Sequence, residues 1–128
     1  MLQSFAEKKR KRERPSTTKR KEELLQDIMD YIDANLDRRI TLETVAAHFS
    51  VSISTVTQLF QKRADTTFHQ FLTQRRMAAA EKMVLNGVAL EDVGKKLGYS
   101  DHSSFYRAFK QTYGCSPRDF KQKATENS

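Results

Sequence analysis

The residues of this chain best equipped to do chemistry gather in one stretch. It runs Gly98-Tyr99-Ser100-Asp101-His102-Ser103-Ser104-Phe105-Tyr106-Arg107-Ala108-Phe109-Lys110 and is closed by Gly114-Cys115-Ser116-Pro117. Phe105 and Phe109 stand four residues apart, which puts them on one stripe of a helix. His102, Ser103, Tyr106, Arg107 and Lys110 fall on the opposite side and offer hydrogen bonds and positive charge. The chemistry of such a face is recognition. Gly98 can take the left-handed conformation that ends a preceding helix, and Ser100 or Asp101 can cap the next one. Helix, tight turn, then a helix with a polar face is the arrangement that seats side chains in a DNA major groove. An ordinary amphipathic surface helix is the plain alternative.

Other chemistries find little support. His48, His69 and His102 share no ligand spacing with one another or with Cys115, so no metal site and no cofactor is expected. No glycine loop that cradles phosphate and no nucleophile–base pair is present, which argues against an enzyme. Cys115 is the sole cysteine, excluding an internal disulfide and fitting a reducing, cytoplasmic setting. Between Gly114 and Ser116 it reads as a turn residue rather than a redox sensor. No apolar run approaches the length needed to cross a bilayer, and the N-terminus does not read as a signal peptide.

The net charge of +7 is unevenly placed. Residues 1–21 carry nine Lys or Arg against two Glu, whereas residues 22–37 carry six acids and no base. Residues 38–128 are basic again, fourteen against eight. An acidic first helix in front of a basic body implies one face meant for a polyanion.

The elements that must position the polar face follow from periodicity. Residues 1–20, with Lys8-Lys9-Arg10-Lys11-Arg12 and Pro15, read as a basic disordered tail or linker. That tail is either a source of sequence-independent phosphate contacts or a tether to an upstream domain. From Lys21 to Asp37, Leu25, Ile28, Met29, Ile32 and Leu36 recur at helical spacing. The six carboxylates on this helix should keep it off a duplex.

A unit then recurs. Thr41-Leu42-Glu43-Thr44-Val45-Ala46 matches Ala89-Leu90-Glu91-Asp92-Val93-Gly94 at an offset of 48, and Leu59-Phe60 matches Ala108-Phe109 at 49. One extra residue therefore sits between the helices of the second unit. Each unit has a short helix (Leu42, Val45, Ala46, Phe49; Leu90, Val93, Gly94, Leu97), a turn and a second helix. Small Ala46 and Gly94 mark where the two helices of a unit can cross closely. Two such patterns in register carry far more weight than one. Between them, Thr67 to Leu85 reads as a linker helix with Phe68, Phe71, Leu72, Ala79, Met83 and Val84 buried and Asn86-Gly87 as its stop. Its length, roughly 28 Å at 1.5 Å per residue, comes near the ~34 Å between successive major-groove faces of B-DNA. Ser116-Pro117 opens a last short helix, and residues 123–128 are expected to fray.

On the strength of these residues, the chain resembles the AraC/XylS family of bacterial transcription regulators. The family's second helix-turn-helix pattern is met at Gly98, Tyr99, Asp101, Ser103, Phe105, Arg107, Phe109, Lys110, Gly114, Ser116, Pro117, Phe120 and Lys121. The first is met more loosely at Leu42, Val45, Ala46, Leu59, Phe60, Phe71, Leu72, Arg75 and Met77. The resemblance implies an all-α domain over residues 21–122, with seven helices in two helix-turn-helix subdomains, about 41–64 and 89–113, joined by the central helix 67–85. It implies sequence-specific binding to double-stranded promoter DNA, mostly in activation and sometimes in repression. Groove-facing positions carried over are Ser54, Thr55, Thr57 and Gln58 in the first unit. In the second they are His102, Ser103, Ser104, Tyr106 and Arg107, with Lys110 beside them. Arg is suited to a guanine edge and Gln to an adenine edge. Gln58 and Gln61 replace residues that are commonly basic, which makes the first unit look less cationic, and Asp65 replaces a glycine. Lys62, Arg76, Lys95, Lys96, Arg118 and Lys121 are candidates for phosphate.

RNA polymerase is the expected protein partner and the nucleoid the expected location. A small-molecule effector enters only if an upstream domain precedes this chain. Two rivals remain: a protein-interaction module of the same fold with little specific DNA binding, and nonspecific nucleic-acid binding driven by the tail.

Overall fold

The computed structural model describes residues 17–126, and the basic stretch of residues 1–16 lies outside them. Among the described residues there are seven α-helices and no strand: α1 (Thr17–Ala34), α2 (Leu42–His48), α3 (Ile53–Arg63), α4 (Phe68–Leu85), α5 (Leu90–Lys96), α6 (His102–Tyr113) and α7 (Pro117–Glu126). The all-α, two-unit architecture expected from the sequence is the one observed.

Three boundaries differ from the periodicity reading. α1 begins at Thr17, so residues 17–20, expected in the tail, are helical. Lys and Arg are good helix formers and no breaker follows Pro15, but apolar spacing cannot register a turn with nothing to bury. α1 also stops at Ala34 rather than Asp37. Asn35 ends it by donating from its side chain to the Tyr31 carbonyl oxygen at 2.8 Å, which leaves Leu36 in the following loop. At the other end α7 continues to Glu126, through residues expected to fray.

Side-chain caps set several of the helix starts, though Ala89 offers none to α5. Thr41 and Thr44 form a capping box on α2, and Thr67 and Gln70 form one on α4. Ser116 Oγ accepts the Asp119 amide at 3.2 Å, and buried Pro117 occupies the first position of α7.

Two cores form. Leu25, Ile28 and Ile32 of α1 pack with Val45, Ala46, Val56, Leu59 and Phe60 of the first unit. Val93, Leu97, Phe105 and Phe109 make the second. α4 is shared: Phe68, Phe71 and Leu72 enter the first core, while Met77, Ala80 and Val84 enter the second. At 100° per residue these two sets point roughly 160° apart. This corrects the single buried face expected for the linker helix. Met77, Ala80 and Val84 are its fully buried residues, and Ala79 and Met83 are only partly covered.

Candidate nucleic-acid interface

The two helix-turn-helix units are built on the same plan. In the first turn the Val51 amide donates to the Ala46 carbonyl oxygen; in the second the Tyr99 amide donates to that of Gly94, both at 3.0 Å. Ser50 (φ 57°) and Gly98 (φ 80°) hold the matching left-handed positions, and so do Asp65 (φ 52°) and Gly114 (φ 79°) after the second helices. Serine and aspartate thus occupy a conformation that glycine adopts freely. The extra residue of the second unit lies in its turn, between Tyr99 and the cap of α6.

Each second helix is capped at the end that carries the candidate side chains. Ser52 Oγ accepts the Thr55 amide at 3.0 Å and lies 2.9 Å from Thr55 Oγ1. Asp101 Oδ1 accepts the Ser104 amide at 2.7 Å, and Ser104 Oγ donates to Asp101 Oδ2 at 3.1 Å. Those two bonds from Ser104, with the positive charge of Arg107 nearby, hold the Asp101 carboxyl below its ordinary range. The hydroxyls of Thr55 and Ser104 are therefore engaged locally, and both residues are half-buried.

The other candidates divide by exposure. Ser54 and Gln58 are exposed on α3 and Thr57 is half-buried; His102, Ser103, Arg107 and Lys110 are exposed on α6. Tyr106 is half-buried, with its ring 4.2 Å from that of His102. Beneath this face Phe105 and Phe109 are fully buried. The α6 C-terminus is tied to α4 by Tyr113, whose hydroxyl donates to the Met77 carbonyl oxygen (3.0 Å) and lies 3.2 Å from Glu81 Oε2. Burial, reinforced by the Glu81 carboxylate, pushes the Tyr113 hydroxyl up to about 12.

The structure also gathers residues that spacing alone did not. Lys21 of α1 shares a recess of about 330 Å³ with Thr55, Gln58, Lys62 and Arg63. The first unit thereby regains positive charge from a helix expected to stay away. Arg63 is partly engaged, 3.7 Å from Glu22. Ile53, 44 % exposed at the start of α3, leaves an apolar side chain beside Ser54. Spacing gave no warning of this, because Ile53 stands three residues before Val56 and seven before Phe60, beside their stripe. A groove of about 490 Å³ between α4 and α6 is lined by His69, Thr73, Arg107 and Lys110. Arg76, expected among the phosphate contacts, is instead turned inward: its Nη2 donates to the Arg38 carbonyl oxygen at 2.8 Å. Among the described residues no cluster of His, Cys, Asp or Glu is arranged to hold a metal, and no helix is long and apolar enough to cross a membrane.

A family profile described as a helix-turn-helix domain matches residues 45–123. The regulatory protein PocR of Salmonella typhimurium is 32% identical over 99 residues, covering 77% of this chain and 33% of PocR. This chain belongs to the AraC/XylS family. The transcriptional activator NphR of a Rhodococcus species is 39% identical over 88 residues, 67% of this chain and 26% of NphR. The chain thus spans about a third or less of the length of these two relatives. The fold is shared with the C-terminal domain of AraT, a response regulator from Geobacillus stearothermophilus. There the TM-score is 0.76 at 24% identity, over 78% of this chain and 84% of that one. It is shared equally with the DNA-binding domain of AdpA, a global transcriptional factor solved in complex with a target DNA. In that case the TM-score is again 0.76, at 18% identity, over 80% and 94%. Within this AraC/XylS domain, the N-terminal turns of α3 and α6 are thus the capped, polar and exposed ends of two equivalent helices.

Proposed function

We propose that this chain binds promoter DNA sequence-specifically, inserting α3 and α6 into successive major grooves, and so regulates transcription, mainly as an activator. The observation that carries this reading is the pair of equivalent units, each presenting a capped, solvent-facing polar helix end, held by one 18-residue helix. That helix is about 27 Å long at 1.5 Å per residue, close to the ~34 Å that separates successive major-groove faces. One polypeptide then reads an asymmetric site without a dimer partner.

In this reading Arg107 addresses a guanine edge and Gln58 an adenine edge. Ser54, Ser103 and His102 complete the base-facing set. Thr55, Thr57, Ser104 and Tyr106, being half-buried, shape the contact from its border. Lys110, Lys62, Lys21, Lys95, Lys96, Arg118 and Lys121 serve the phosphates, whose neutralisation drives affinity and makes it salt-dependent. RNA polymerase is the proposed protein partner and the nucleoid the proposed location. A small-molecule effector enters this reading only if a further domain precedes the two units.

The test is Arg107→Ala in binding titrations against a duplex selected by the wild-type protein. Affinity should fall by about 1–3 kcal/mol, with preference relaxed at a single base pair. A uniform loss across all sequences would assign Arg107 to phosphate. Deleting residues 1–16 should lower the salt slope and leave the sequence preference intact. Loss of the preference would favour tail-driven, nonspecific binding.

A further inference from the structure

The loop between α1 and α2 belongs to the first unit, yet it touches both cores: Leu36 packs against each. Two residues on, the Arg38 carbonyl oxygen accepts the 2.8 Å bond from Arg76 Nη2. Arg76 lies on α4 between Leu72, the last of its residues in the first core, and Met77, the first in the second. Its guanidinium carbon is 5.3 Å from the centre of the Tyr99 ring, in the turn that leads into α6. Gly98 closes the junction. A Cβ placed there would stand 2.9 Å from the Arg38 oxygen and 3.0 Å from Arg76 Nη2. Carbonyl, guanidinium and turn are therefore in mutual contact, and only glycine fits.

Arg76 is poorly suited to mere stabilisation. Its Nε is buried without a hydrogen-bond partner, and an apolar side chain would fill the space without desolvating a charge. What a guanidinium adds is direction: a planar donor aimed at one carbonyl while its carbon lies over one ring. The two cores grip nearly opposite sides of α4, so few other contacts fix their relative rotation.

We propose that Arg76 is a positioning residue. By clamping the Arg38 carbonyl against the Gly98–Tyr99 turn, it fixes the angle and separation of α6 relative to α3, and so sets the half-site spacing the chain accepts. The spacing part rests on the reading that both helices enter one duplex.

The test uses a duplex recovered from a random library by the wild-type protein. It is rebuilt with one base pair removed or added between the half-sites, and also with one half-site scrambled. Wild type should prefer its own spacing at least ten-fold. Arg76→Met should reduce that preference to three-fold or less, while binding to the lone half-site changes less than two-fold. Arg76→Lys, which still reaches the carbonyl, should recover part of it. An equal loss at every spacing, or no loss, overturns the proposal.

A second measurement needs no DNA. Spin labels at Gln61→Cys and Thr112→Cys, with Cys115→Ser, should give one narrow distance distribution that Arg76→Met broadens. An unchanged width overturns the clamp. Broadening without any wild-type spacing preference would refute the two-helix reading and its spacing consequence, while leaving the clamp itself supported. Should Arg76→Met fail to fold, Tyr99→Leu removes the ring beneath the guanidinium and is subject to the same expectations.

Discussion

Gly94 offers a substitution in which two opposing effects can be weighed from the structure. It lies within α5, where replacing glycine by alanine ordinarily stabilises by about 1 kcal/mol. The added Cβ, however, would stand 3.0 Å from Phe105 Cβ, 3.1 Å from its Cγ and 3.3 Å from its Cδ2. Those atoms must yield by a few tenths of an ångström. Phe105 is fully buried, its ring 5.7 Å from Tyr99, 6.2 Å from Tyr106 and 5.9 Å from Phe109. Its Cβ can retreat only if α6 moves. Overpacking of this kind costs about 1–3 kcal/mol, so packing wins and Gly94→Ala should lose about 1 kcal/mol net. In a domain of this size that is roughly 4 °C of melting temperature. The matching residue of the first unit, Ala46, already carries a Cβ in its core. Urea titration of Gly94→Ala, Phe105→Ala and the double variant weighs the ring's share of the contact. In the Phe105→Ala background, which lacks the ring atoms at 3.1 and 3.3 Å and keeps only the Cβ contact, the cost of the alanine at 94 should shrink. A Gly94→Ala protein more stable than wild type would refute the packing argument.

Three further expectations concern the same units. Ser50→Gly and Asp65→Gly should each raise stability by about 0.5–1 kcal/mol, because relief of the left-handed strain outweighs glycine's extra unfolded-state entropy; lower melting temperatures would refute this. The Asp101 carboxyl is held below its ordinary 3.8 by Ser104. Its advantage over Asp101→Asn should therefore be complete above pH 3.8 and shrink on further acidification; a difference that stays constant down to pH 3 would mean that ionisation of the cap contributes nothing. Tyr113→Phe should cost about 1 kcal/mol near neutrality. Because the folded hydroxyl is raised from 10 to about 12, wild type should also lose stability between those values. The phenylalanine variant should lack that alkaline loss, as chemical denaturation at graded pH would show.

Much of this could be read from the chain itself. The change of offset from 48 to 49 placed the longer turn in the second unit, and it aligned Ser50 with Gly98 and Asp65 with Gly114, the pairs that share a left-handed backbone. The cap at Asp101, one of two offered with Ser100, the cap at Ser116 and the stripe of Phe105 and Phe109 were legible for the same reason: each depends on neighbours within about four residues. The polar ends of α3 and α6 followed from these, as the faces left over once the stripes were assigned.

Tertiary structure alone decided what depends on distant partners. A periodic pattern presumes one buried face, whereas α4 serves two cores on nearly opposite sides, so Met77 and Ala80 are buried where Ala79 and Met83 were expected. Lys21 reads as one more basic residue until α1 folds back to set it beside Gln58. Arg76 resembles any cation on a basic helix, and its partner carbonyl lies 38 residues away. Local chemistry dictated the helices and their caps; the pairing of groups remote in sequence required the folded chain, because no short-range pattern encodes it.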